Sequence, residues 1–186
     1  MIKNLIILLF LWSPLAGSFQ TVFPKNVEKR IEKSLHKYFE KSPFSKHKIL
    51  VHDSILDQSN SSFYQVKGSE EVVYMVITIA NGCRLGGCDL EHGKKEEFEQ
   101  FFIYSLFNQQ AELIEVRILD YPSEHGYEIN SRWWLKQFVK KKSDERYSYA
   151  KNIDGISGAT TSIKSMIKEM NFLKKTMPSV ISATEN

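Results

Sequence analysis

Nine consecutive residues, Asp154-Gly155-Ile156-Ser157-Gly158-Ala159-Thr160-Thr161-Ser162, combine one carboxylate and four hydroxyls with two glycines and an alanine. They lead into an apolar periodicity, Ile163, Met166, Ile167, Met170 and Leu173, which predicts a helix beginning near Thr161. A helix N-terminus presents unpaired N–H groups and the positive end of its dipole, which suits a phosphate. Gly158 and Ala159 would let such a ligand approach the backbone closely, and the hydroxyls supply oxygens for hydrogen bonds or for an ester. A Ser/Thr-rich helix cap that binds nothing has the same composition, so the residue types alone leave both roles open.

A second cluster with chemical capacity is Gly82-Cys83-Arg84-Leu85-Gly86-Gly87-Cys88-Asp89, followed by His92. It reads as a glycine-rich loop, and its two cysteines are the whole thiol content of the chain. Three arrangements compete: a short Cys83–Cys88 disulfide, either structural or redox-active; a metal site using Cys83, Cys88 and His92; or two free thiols. The disulfide is favoured if the chain is exported, and the metal site lacks an evident fourth ligand. No Cys-x-x-Cys-His run is present, which argues against covalent c-type haem.

Export is expected from the first residues. Lys3 precedes an apolar run from Leu5 to Trp12, and the small residues Ala16, Gly17 and Ser18 follow, as in a secretory signal cleaved after Ser18. The run is short for a membrane span, which takes roughly 20 apolar residues. Residues 1–18 are therefore read as a signal peptide, 19–178 as one domain, and 179–186 as a flexible tail. The expected location is periplasmic or extracellular. The net charge is +3, and the lysines alternate with Glu and Asp along the chain instead of forming a basic run interleaved with aromatics, which argues against nucleic-acid binding.

The elements that must position these residues follow from hydrophobic spacing. Val27, Ile31, Leu35 and Phe39 recur every four residues and predict an amphipathic helix over 24–40. A loop over 42–47 precedes short strands at 48–52 and 63–66, with a polar turn at 59–62 between them. Residues 72–79 (VVYMVITI) form a β-branched, nearly all-apolar run, as expected of a central strand covered on both faces. Runs at 98–107 and 111–121 flank Asn108-Gln109-Gln110 and predict a hairpin. Ser131 can cap a helix whose apolar face is Trp134, Leu135, Phe138 and Val139; Lys140, Lys141 and Lys142 then complement its dipole. Of the adjacent Trp133 and Trp134, one is expected in the core and the other on the surface, where it could cover a ligand. Pro178 predicts the end of the last helix, with a frayed tail beyond Met177. The fold class is α+β, a small antiparallel sheet with helices packed on it.

The order Asp-x-x-Ser-Gly-Ala-Thr-x-Ser over 154–162 resembles the covalent attachment motif of the FMN-binding domain family. That family includes flavin-carrying subunits of Rnf-type complexes and of sodium-translocating NADH:quinone reductases. Two upstream stretches, 121–129 (YPSEHGYEI) and 132–138 (RWWLKQF), resemble the family's second block, a glycine-containing turn followed by a helix ending in Gln-Phe. The resemblance covers roughly the second half of the chain. It implies an FMN joined by a phosphoester to the last hydroxyl of the motif, here Ser162, with Thr161 as the alternative. The larger complexes usually carry threonine at that position. The resemblance further implies a flavin transferase that uses FAD and Mg²⁺ and releases AMP, and a membrane or extracytoplasmic redox partner.

Within that frame the backbone N–H groups from Gly158 to Thr161, together with Ser157 and Thr160, are expected around the phosphate. Asp154 is expected to order the turn, or to position Mg²⁺ during transfer, since a carboxylate beside a phosphodiester repels it. His125, Gly126 and Tyr127 are expected near the isoalloxazine ring, with an ordinary loop histidine the competing role for His125. No separate substrate-activating constellation is evident, so an electron carrier is expected in preference to a self-sufficient enzyme. The rival readings are an exported binding or scaffold module that carries no flavin, and a thiol–disulfide protein using Cys83 and Cys88.

Overall fold

The computed structural model describes residues 23–84, 98–123, 126–139 and 145–185. The expectations for the signal peptide, Cys88, His92, His125 and Lys140 to Lys142 lie outside these residues, as does the side chain of Cys83. The fold is α+β: helix α1 (Lys25–Tyr38), strand β1 (Ser45–Ile49), a short α2 (Asp53–Leu56), β2 (Ser61–Lys67), β3 (Val72–Arg84), β4 (Phe98–Phe107), β5 (Leu113–Asp120), a 3-10 turn (Tyr127–Asn130), α3 (Arg132–Val139) and α4 (Thr160–Glu185). The strands form one antiparallel sheet in the order β1-β2-β3-β4-β5.

The run over 72–79 lies in the central strand, as its composition predicts, because both faces of the sheet are covered. Val76, Phe101, Ile103, Trp134, Phe138 and Ile163 belong to the core on the α3/α4 face. Val27, Ile31 and Leu35 of α1 pack on Val73, Met75 and Ile77 on the other. The expected hairpin is β4–β5. Asn108 closes its turn, its Oδ1 accepting from the N–H groups of Gln110 (3.0 Å) and Glu112 (2.8 Å).

Several boundaries depart from the sequence reading. Ser45, Lys46 and His47, expected in a loop, begin edge strand β1, and its exposed residues explain why it lacks an apolar pattern. His52, expected in a strand, accepts from Ser54 N–H and caps α2. Ser61 and Ser62 belong to β2 instead of a polar turn. Ser59, Ser61 and Thr78 form a buried hydroxyl chain that ends on Glu169, with Ser59 Oγ donating to its carboxylate at 2.6 Å. Gly82, Cys83 and Arg84, expected in a loop, complete β3.

The largest correction concerns the C-terminal end. Residues 179–185 are not a flexible tail: α4 passes through Pro178 and reaches Glu185. Proline removes an N–H donor and costs about 3 kcal/mol inside a helix. Against that, Met177, Val180 and Ile181 stay on one face and are buried in the core, and a fully buried side chain of this size contributes roughly 1.5–3 kcal/mol. Ile181→Ala is therefore expected to lower unfolding stability by about 2–4 kcal/mol in urea titration. A frayed tail would lose almost nothing.

Candidate functional site

The segment 154–162 is held from the side by α3. Trp134 Nε1 donates to the carbonyl of Asp154 at 2.9 Å, and Asp154 N–H donates to Gln137 Oε1 at 2.9 Å. Both peptide groups of Asp154 are thus fixed by side chains one turn apart on one helix. Its carboxylate belongs to an exposed residue. Of the adjacent tryptophans, Trp134 is fully buried and Trp133 is 59% exposed.

Upstream, Gly126 has φ 66°. A Cβ there would lie 2.3 Å from Ala159 Cβ and 2.9 Å from its Cα, so the turn packs directly on the motif backbone. Gly155 makes room in a similar way for Tyr149, whose hydroxyl would be 2.9 Å from an added Cβ. Gly158 has φ 77°, a left-handed turn that brings the chain into α4. The glycine-containing turn, α3 and the motif, separated in sequence, therefore form one packed unit.

The entry to α4 divides the candidate residues by exposure. Ser157, Gly158, Thr160 and Thr161 are exposed, whereas Ala159 and Ser162 are fully buried. Ile163 N–H makes the first helical bond, to Ala159 O at 2.9 Å. The amides of Thr160, Thr161 and Ser162 precede it and have no carbonyl one turn back within the helix. Ala159 N–H does not join them, because it donates to Ile156 O at 3.2 Å, closing the turn. Of the N–H groups expected from Gly158 to Thr161, that of Ala159 is therefore committed to the turn.

Ser162 Oγ lies 3.1 Å from Tyr121 Oη and makes a hydroxyl–hydroxyl hydrogen bond with it. Gly82 of β3 faces the same oxygen, since a Cβ there would sit 3.4 Å from it. Tyr121 in turn meets Phe101 edge-on, their ring centroids 5.6 Å apart. Sequence reading missed Tyr121 and Gly82 as neighbours of Ser162, because strand pairing and helix packing bring them there from distant positions. Two buried polar atoms nearby have no hydrogen-bond partner among the described residues. They are Gln137 Nε2, on the side chain that holds Asp154, and Glu99 Oε2, on the residue whose carbonyl lies beside Gly82.

Tyr127 is 68% exposed at the head of the 3-10 turn. With Trp133 it leaves two large aromatic surfaces exposed around the start of α3. Among the described residues no group of three or more His, Cys, Asp or Glu could hold a metal ion. No helix of the described residues is long and apolar enough to cross a membrane.

Chemically, the site offers a hydroxyl oriented by a tyrosine, exposed threonine hydroxyls, and first-turn amides on a rigid helix. That set suits a phosphate or phosphoester. Compared with models of protein families and with curated proteins, the chain matches none.

The Gly126–Ala159 contact gives a direct test of the packed unit. Gly126→Ala is expected to cost about 2–4 kcal/mol of unfolding free energy, from overlap and the left-handed φ. Adding Ala159→Gly should recover part of it by removing the opposing methyl. A full double-mutant cycle in urea with no recovery would show that the two residues do not touch.

Proposed function

We propose that the protein is an exported electron-transfer flavoprotein carrying FMN through a phosphoester to Ser162, with Thr161 as the alternative acceptor. The observation that carries this reading is the packing of the glycine turn and α3 onto the motif, through Gly126 on Ala159 and through Trp134 and Gln137 on Asp154. The three stretches whose residues resemble the FMN-binding domain family are thereby joined in space. A fold like that family's is part of the same proposal.

The residues fit the group. First-turn amides of Thr160, Thr161 and Ser162 would hold the phosphate. Gln137 Nε2, a buried donor without a partner among the described residues, is available to a polar ligand beside the motif. Tyr127 and Trp133 are exposed aromatic surfaces for the ring system, and Asp154, fixed through its peptide groups, keeps its carboxylate available for Mg²⁺ during transfer. Bound FMN would supply one- and two-electron redox chemistry.

Attachment is a phosphoryl transfer catalysed by a flavin transferase. The acceptor oxygen bonds to the flavin-side phosphorus of FAD, the pyrophosphate bond breaks, AMP leaves, and the hydroxyl proton is released. Ser162 Oγ is fully buried against Tyr121, so this oxygen must be released from Tyr121 before it can react. Thr161 is exposed and needs no such opening.

A second reading, an exported binding module without flavin, is favoured by the burial of Ser162 alone. Co-expression of the mature chain with an active flavin transferase, followed by denaturation, intact mass and peptide mapping, separates the two. The expected product is a yellow chain heavier by one FMN minus water, with the added mass on Ser162 and lost in Ser162→Ala. Loss in Thr161→Val instead would move the linkage by one residue. An unmodified chain alongside a modified control substrate would overturn the proposal and leave the binding module.

A further inference from the structure

We infer that the groove between α1 and β5 is a docking site for an extended acidic segment of a partner protein. The sequence disperses its lysines among acids, but the fold gathers part of them. Arg30, Lys33 and Lys37 share one face of α1, Lys41 follows in the left-handed turn after its C-terminus, and Arg117 of β5 and Arg132 of α3 complete the lining. The groove has a volume of about 1010 Å³, and Glu40 is the one acidic residue lining it among the described residues. Ile118 and Leu119, both buried, contribute its floor.

Six Lys or Arg side chains against one Glu exceed the net charge of the whole chain, +3, so the remainder is net negative. The groove is therefore basic against a nearly balanced remainder. Arg117 is balanced by Glu115, and Arg30 donates to the Leu119 carbonyl while keeping its charge. Among the described residues, Lys33, Lys37, Lys41 and Arg132 have no carboxylate within ion-pair distance. All four are exposed.

The geometry selects an extended polypeptide. Lysines four apart on a helix repeat about every 6 Å along its axis. Carboxylates on alternate residues of an extended chain repeat about every 6.6 Å, close enough for Lys33 and Lys37 to meet two successive carboxylates. A concave groove over a buried apolar floor does not lie flat on a bilayer surface, and among the described residues no Phe, Tyr or Trp lines it to stack on nucleic-acid bases. Arg132 opens α3, so a docked segment would touch the helix that holds Asp154. The inference does not depend on flavin attachment.

Fluorescence anisotropy with a fluorescein-labelled peptide of alternating Glu and Thr, eight residues long, tests it on the mature chain. Binding is expected at low ionic strength, weakening as salt is raised. It should fall by about tenfold or more in the Lys33→Glu/Lys37→Glu variant and stay unchanged in Lys151→Glu, which lies outside the groove. Circular dichroism would verify that both variants are folded. Equal affinity for the two variants would overturn the proposal. So would failure of the peptide to bind while phosphatidylglycerol vesicles bind wild type and lose Lys33→Glu/Lys37→Glu, which would make the occupant a lipid surface.

Discussion

Asp154 is tied down through its own peptide bond groups, by Trp134 on the carbonyl and Gln137 on the amide. The geometry of the candidate site depends on this pair of contacts. Trp134 is fully buried and stacks edge-on with Phe138, which in turn meets Tyr147. The anchor therefore stands on the core and not on a loop. A hydrogen bond of this kind contributes only about 0.5–1.5 kcal/mol net, but loss of one partner leaves a group unsatisfied at higher cost. The direction of the chain entering α4 is accordingly set by α3, and the first-turn amides inherit it.

Sheet and helix lengths serve the same end. β3 continues past its apolar stretch to Gly82, where the absence of a side chain lets Ser162 approach. α4 lies across β3 with Ser162 and Ser165 at its start, the latter accepting from Asn81 N–H at 3.2 Å. Further along, Glu169 is buried yet satisfied by the hydroxyl of Ser59. A polar seam thus runs between helix and strand inside an otherwise apolar interface. It fixes the helix's rotation and position along the strand, since a shift by one residue would strand a buried carboxylate.

Much of the fold is legible because its signals are local. The apolar run over 72–79 declares a covered central strand, and the four-residue spacing of Val27, Ile31 and Leu35 declares α1. β1 is only partly legible: a strand is expected at 48–52, but the exposed edge strand runs Ser45–Ile49 and takes its order from backbone pairing with β2. Pro178 misleads because local propensity says stop, whereas burial of Val180 and Ile181 outweighs it. The motif's residue types are readable as a helix entry, but its supports are not. Tyr121, Gly82 and Gln137 reach it only through tertiary packing, and Arg117 and Arg132 join the α1 lysines in the same way.

The most direct measurement of the account's physical core is residue-resolved amide hydrogen exchange in wild type and Gln137→Ala. If α3 holds the motif, exchange at Asp154 and through the turn leading to Ile163 should accelerate about tenfold or more, with β3 amides unchanged. Unchanged protection across 154–163 in the variant would contradict it, and would mean that the entry to α4 is ordered without the Gln137 contact.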